Sequence, residues 1–252
     1  MHSAVRSLSE DKQQEATKAF EALMPKKDVW QDGKDLSSQT CYSLGLFQVE
    51  FENDGSISKL IDGHGKAWAD VHRRIGSYQY ETFGMDHYNN WFQSYVENWS
   101  QTHSWADADF GKPGMEFAQP KPEHKQFSPK LNRILTRSEE AYDLVQIQLS
   151  MTEECVQIHG APREIRIDYK FYKDEKKIDV DLSWFDKPAY RLPEASWFSF
   201  ALKVDNPNLW RMEKLGEKIS PLEVVKNGNR NLHAVHMWYE ENTKFRFSIR
   251  MS

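Results

Sequence analysis

Residues 165–184 read Ile165-Arg166-Ile167-Asp168-Tyr169-Lys170-Phe171-Tyr172-Lys173-Asp174-Glu175-Lys176-Lys177-Ile178-Asp179-Val180-Asp181-Leu182-Ser183-Trp184. Ile165, Ile167, Tyr169 and Phe171 alternate with charged residues. After the polar turn Lys173-Asp174-Glu175-Lys176, Ile178, Val180, Leu182 and Trp184 alternate in the same way. A period of two sends successive side chains to opposite faces of a strand. The stretch therefore reads as a hairpin with one buried and one wet face, the signature of an antiparallel sheet. If the hairpin is symmetric about its turn, Asp168 faces Asp181 and Lys170 faces Asp179 on the wet side.

The same pattern extends in both directions. Further strands are expected over 140–151, 196–204, 231–240 and 244–250. Upstream, Phe47, Val49 and Phe51 alternate with polar residues. Asn53-Asp54-Gly55-Ser56 is a tight-turn signal, and Ile57 and Leu60 open the return strand. Asp62-Gly63-His64-Gly65 marks a second turn before Trp68, and Tyr78, Tyr80 and Thr82 alternate in a strand over 74–83. Two segments change period. Ala16, Ala19, Phe20 and Leu23 share one face of a helix over 7–24, with Ser7 and Glu10 at capping-box spacing and Pro25 as its stop. Tyr88, Trp91, Phe92, Tyr95, Val96 and Trp99 form one apolar stripe on a helix near 86–99, capped by Asp86. Residues 100–130, with several Gly and Pro, read as a long loop.

These elements predict a mostly β chain, a large antiparallel β-sandwich with an N-terminal helix and one inserted amphipathic helix. The expected organisation is a helical leader or linker over 1–38 and a sandwich domain over 39–252, with the helix and long loop inserted at 84–130. The alternative is two small α+β domains split near residue 130.

Composition narrows the function classes. The chain has 252 residues, 13% of them aromatic, which suits sheets or surfaces that stack on flat ligands. The formal net charge is −5 with both signs interspersed, unlike the basic stripe of a nucleic-acid binder. No run of 18 apolar residues suggests a membrane helix, and the N-terminus lacks the apolar stretch of a signal peptide, so the chain as written is expected in the cytoplasm. Cys41 and Cys155 read as two buried free thiols.

Chemistry-bearing clusters are few. A glycosidase needs paired carboxylates, and Asp168 with Asp181 is the expected cross-strand pair, although a solvated charged face is the plainer reading. Asp86-His87 and His233-x-x-His236 are the only groupings suggestive of zinc, and His233 and His236 in a strand would point to opposite faces. No metal ligand and no catalytic residue is assigned from spacing. Sugars present apolar ring faces and many hydroxyls, and two stretches combine aromatic and polar groups accordingly. The first is Tyr78-Gln79-Tyr80 with Asp86, Tyr88 and Asn89. The second is Asn227-Gly228-Asn229-Arg230-Asn231-Leu232-His233, which also reads as a self-capped turn. The candidate substrate-binding residues are Tyr78, Tyr80, Asp86, Asn227, Arg230 and His233.

An ordered series of segments carries a resemblance. It runs from Phe51-Glu52-Asn53-Asp54-Gly55-Ser56-Ile57-Ser58-Lys59-Leu60 through Tyr78-Gln79-Tyr80-Glu81-Thr82-Phe83 and Asp109-Phe110-Gly111-Lys112-Pro113-Gly114. It continues with Leu192-Pro193-Glu194-Ala195-Ser196-Trp197-Phe198-Ser199-Phe200 and ends at Pro221-Leu222-Glu223-Val224-Val225-Lys226-Asn227-Gly228. The series resembles the C-terminal β-sandwich region of glycoside-hydrolase-like proteins related to family 38, the α-mannosidase type. That resemblance spans roughly residues 40–252. It implies a sandwich of the galactose-mutarotase type, often used to handle sugars. In that family the zinc ligands and catalytic carboxylate belong mainly to an N-terminal α/β barrel, which nothing here resembles. The resemblance therefore implies no cofactor and no catalytic residue in this chain, with zinc expected only in a longer, barrel-containing product.

The functional expectation is the sugar-associated portion of an α-mannosidase-related protein, a truncated or partial chain that does not hydrolyse glycosides alone. Its expected partners are carbohydrate and the missing catalytic domain, not nucleic acid or membrane. Two alternatives stay open. A self-contained mutarotase-like enzyme would pair His233 with Glu194 or Asp86. A non-enzymatic interaction module would dock through the helix stripe around Trp91. A sandwich cut from its barrel is also expected to expose apolar surface at Tyr88, Trp91, Tyr95, Trp99, Trp105 and Phe110, or to cover it with the leader face of Phe20 and Leu23.

Overall fold

The computed structural model describes residues 2–23, 27, 30, 32–95, 114–225, 228, 237–240, 245–247 and 250–251. The chain forms two compact units, residues 1–32 and 33–252. The boundary falls just ahead of the expected one at 38/39, because strand β1 (Lys34–Leu36) pairs with a strand of the second unit.

The first unit holds two helices where the sequence suggests one. α1 (His2–Arg6) is followed by α2 (Glu10–Leu23). Ser7 does not cap the second helix. Its hydroxyl donates to the Ala4 carbonyl at 2.7 Å, closing α1, and Ser9 supplies the first carbonyl of α2, accepting from Gln13 N at 2.9 Å. Glu10 and Asp11 then stand in the positive first turn of α2.

In the second unit β1 is followed by β2 (Cys41–Leu44), β3 (Phe47–Phe51), β4 (Ile57–Asp62), β5 (Ala67–Ala69) and β6 (Ile75–Thr82). Helix α3 (Met85–Tyr95) comes next. Within the expected 100–130 loop, the structure places a short 3-10 turn at Met115–Phe117 and a strand, β7 (Lys125–Phe127). Then come β8 (Lys130–Ser138), β9 (Tyr142–Ser150), helix α4 (Glu153–His159), β10 (Glu164–Tyr172), β11 (Ile178–Phe185) and β12 (Glu194–Phe200). The last strands are β13 (Trp210–Lys214), β14 (Glu217–Ile219), β15 (Met237–Glu240), β16 (Phe245–Phe247) and β17 (Arg250–Met251).

One sheet runs β1-β8-β9-β10-β11-β17 and the other β12-β6-β4-β3-β2, with β5 added on β4 and β7 on β6. Every described pairing is antiparallel except β11 with β17. A smaller sheet, β14-β13-β15-β16, follows. The expected split near 130 does not occur. β8 begins there, and residues on both sides of it share one core. That core is the set of alternating residues read from the sequence: Phe47, Val49 and Phe51 from one sheet against Ile165, Ile167, Tyr169 and Phe171 from the other. Phe47 meets Phe171, and Phe51 meets Tyr169, each with ring centroids 6.2 Å apart. The close approach requires Gly76, at φ +69°, where an added Cβ would lie 2.0 Å from the Tyr169 hydroxyl.

The hairpin register is as expected: Asp168 pairs with Asp181 and Lys170 with Asp179. Its second face is not the solvated one anticipated. Asp168 accepts from Gln146 Nε2 at 2.9 Å, and Arg166 Nε lies 2.9 Å from its other oxygen. Gln146 itself is buried, and burial pushes the Asp168 carboxyl above the usual range. Cys155 is buried and its thiol is pushed up to about 12, whereas Cys41 is exposed because it lies at the end of the edge strand β2. Trp91 on α3 is 42% exposed. Trp99, Trp105 and Phe110 lie outside the described residues, as does the side chain of Tyr95.

Candidate functional site

β6 lies between β12 and β7, and its alternate residues go to opposite sides of the sheet. The two sides differ in character.

Inward point Tyr78 and Tyr80, 2% and 0% exposed. The Tyr78 hydroxyl pairs with Ser196 Oγ at 3.0 Å, and burial pushes it up to about 12. The Tyr80 hydroxyl donates to Glu194 Oε2 and lies 2.7 Å from the His159 carbonyl oxygen. Burial and the Glu194 carboxylate together raise Tyr80 far above a free phenol. The other Glu194 oxygen, Oε1, accepts from Lys187 Nζ at 2.6 Å, and that ammonium also donates to the Gly160 carbonyl at 2.9 Å. Tyr80, Glu194 and Lys187 thus fasten β6, the start of β12 and the end of α4 to one another. This corrects the reading of Tyr78 and Tyr80 as sugar-stacking residues, because neither ring offers a face to a ligand. It also bears on the mutarotase-like pairing: both Glu194 oxygens are engaged within the fold.

Outward point Gln79 and Glu81, with Trp197 of β12 in register beside Gln79 and Gln126 of β7 beside Glu81. The Glu81 carboxylate gathers its neighbours. Oε2 accepts the Trp197 indole N–H at 2.7 Å, while Oε1 accepts from Gln126 Nε2 at 3.1 Å and from His124 Nε2 at 2.8 Å. Partial burial alone would raise Glu81, but the hydrogen bonds from His124, Gln126 and Trp197 outweigh it and hold the carboxyl below its usual range. Gln126 Oε1 also accepts from Gln79 Nε2 at 3.5 Å. His124 stacks on Phe83 at 6.3 Å between centroids and meets His87 of α3 at 4.3 Å with the two rings tilted by 45°. Gly84 permits this, since an added Cβ would lie 3.3 Å from the backbone nitrogen of His124. The outcome is a Trp197 ring, 44% exposed, pinned by its N–H to Glu81 and beside Gln79, with Gln126 and His124 holding the same carboxylate from the β7 side.

Of the other expected residues, Asp86 is exposed at the start of α3, next to His87 of this surface. Asn227, Arg230 and His233 lie outside the described residues. Among the described residues, no three His, Cys, Asp or Glu side chains converge on a common metal position. Glu81, Trp197, His124 and Gln126 were missed from the sequence. Alternation was the available signal for two of them: if Tyr78 and Tyr80 face inward, Gln79 and Glu81 cannot. An apolar flat face with fixed donors and acceptors around it can stack on a sugar ring and bond its hydroxyls.

The chain matches the model of the family described as Domain of unknown function (DUF5054) over residues 1–179. No curated protein matches it.

Proposed function

The chain belongs to the DUF5054 family, and we propose that it is a carbohydrate-binding β-sandwich portion of a glycoside-hydrolase-like, α-mannosidase-related protein, one that does not cleave glycosides alone. The observation that carries the reading is Trp197. Its indole N–H is held by Glu81 and its ring is half-exposed beside Gln79, with Gln126 and His124 fixing the same carboxylate. Fixing an aromatic plane before the ligand arrives removes an ordering cost that would otherwise weaken binding. The series of segments resembling family 38 adds the sugar class. In this reading Glu81 is a positioning residue, since its oxygens are taken up by the groups it aligns.

The test is a titration of the purified chain with methyl α-D-mannopyranoside and α-linked manno-oligosaccharides, followed by tryptophan fluorescence and by NMR of the indole N–H. Saturable shifts of the Trp197 signal are expected, with no release of aryl alcohol from an aryl α-mannoside in the presence of zinc. The absence of any saturable change with every mannoside would overturn the binding reading, and zinc-dependent turnover would overturn the non-catalytic one.

A further inference from the structure

A recess of about 340 Å³ opens between α4 and the chain leaving β11, lined by Val156, Gln157, Arg163, Asp186, Lys187 and Pro188. We infer that it is a second ligand site, for a neutral polyol of about one pyranose ring. It does not depend on the Trp197 surface.

Size is the first argument. The volume falls at the low end of the roughly 300–1,000 Å³ typical of small-molecule sites, which suits a single ring. The second argument is backbone strain. Asp186 sits at φ +53°, a left-handed conformation rare for a residue with a side chain and concentrated at functional sites.

The third argument is the chemistry of the wall. Lys187 enters from one side. Two of its three ammonium hydrogens go to Glu194 and Gly160, and the third has no hydrogen-bond partner among the described residues. Arg163 is held by both oxygens of Glu153 and stands in the field of Asp186 and Glu164 as well. Counting the partners, the carboxylates of Glu153, Glu164, Asp186 and Glu194 surround two cations, so the recess does not attract an anion. A ligand that only donates, such as an amine, leaves the spare Lys187 hydrogen unused. A hydroxyl both accepts from Lys187 or Arg163 and donates to Asp186, and a ring's apolar face can lie on the exposed Pro188, above the buried Val156.

The probes are myo-inositol and methyl α-D-glucopyranoside, with citrate and ethanolamine as charged comparators, read by ¹³C-methyl NMR of Val156 assigned through Val156→Ile. The expected result is a saturable Val156 shift with the polyols at millimolar affinity, about −4 kcal/mol or weaker. Asp186→Gly should weaken binding at least tenfold without lowering Tm, because glycine adopts the positive φ freely and so separates loss of the site from misfolding. Trp197→Ala should leave the Val156 titration unchanged, which distinguishes this site from the proposed carbohydrate surface. No saturable Val156 shift with either polyol, tighter binding of citrate or ethanolamine, or loss of the shift in Trp197→Ala would each overturn the inference.

Discussion

The two faces of β6 and β12 are built from the same few residues of chain and have opposite characters. On the inner face Tyr78 and Tyr80 are buried and bond to Ser196, to Glu194 with its partner Lys187 and to a backbone carbonyl, so neither ring is open to a ligand. On the outer face Gln79, Glu81 and Trp197 also form a network, but one that leaves a ring and several polar edges open. Both networks use aromatic and acidic residues. Composition therefore cannot tell structural chemistry from binding chemistry here; the side of the strand does.

The contrast predicts that inner-face changes cost stability and outer-face changes cost binding. The harshest test is Gly76→Ala. It forces a positive φ on alanine and drives a methyl into Tyr169, so urea unfolding should record a loss of about 3 kcal/mol or more. A smaller loss, about 2 kcal/mol, is expected for Tyr80→Phe, which removes the bond to the partly buried Glu194 and leaves the His159 carbonyl without this donor.

The inner face also carries an acid sensitivity. His159 is 4% exposed against Phe127, and burial, with nearby Lys125, holds its imidazole below the usual histidine range. A histidine depressed in the folded state contributes stability that is complete above its unfolded value of about 6.5 and is lost as pH falls through the folded one. Tm should fall as pH drops below about 6.5, and His159→Phe should flatten that slope. An unchanged slope in the variant would remove His159 from the account. The smallest stability effect has the opposite sign. Among the described residues the Tyr169 hydroxyl has no hydrogen-bond partner in the core, so Tyr169→Phe should stabilise by up to about 1 kcal/mol, read as a rise in the denaturation midpoint.

The sandwich was legible because strand alternation is local. Phe47, Val49, Phe51 and the 165–184 hairpin show their buried faces in sequence, and the Asp168–Asp181 register followed from turn symmetry alone. Helix α4 also carries its own signals in the sequence. Thr152 caps it with Glu153 and Glu154 behind, and Gly160 ends it at φ +75°. The outer site was legible only in part. Tyr78-Gln79-Tyr80 read as one patch merges two faces that the same alternation separates. His124 and Gln126 could not be placed from local pattern, because β7 reaches β6 across some forty residues and nothing in Lys125-Gln126-Phe127 names its partner. The partial cover on the second face of the hairpin is not legible for a related reason: alternation says which side a charge takes, not what covers that side.

The central claim is most directly tested by measuring thermal unfolding and mannoside affinity on the same two variants, Tyr80→Phe and Trp197→Ala. The account predicts a crossed pattern. Tyr80→Phe should lower Tm and leave the dissociation constant unchanged, while Trp197→Ala should keep stability within about 0.5 kcal/mol and weaken binding at least tenfold. The reverse pattern, affinity lost with Tyr80→Phe and retained with Trp197→Ala, would contradict the assignment of binding to the outer face.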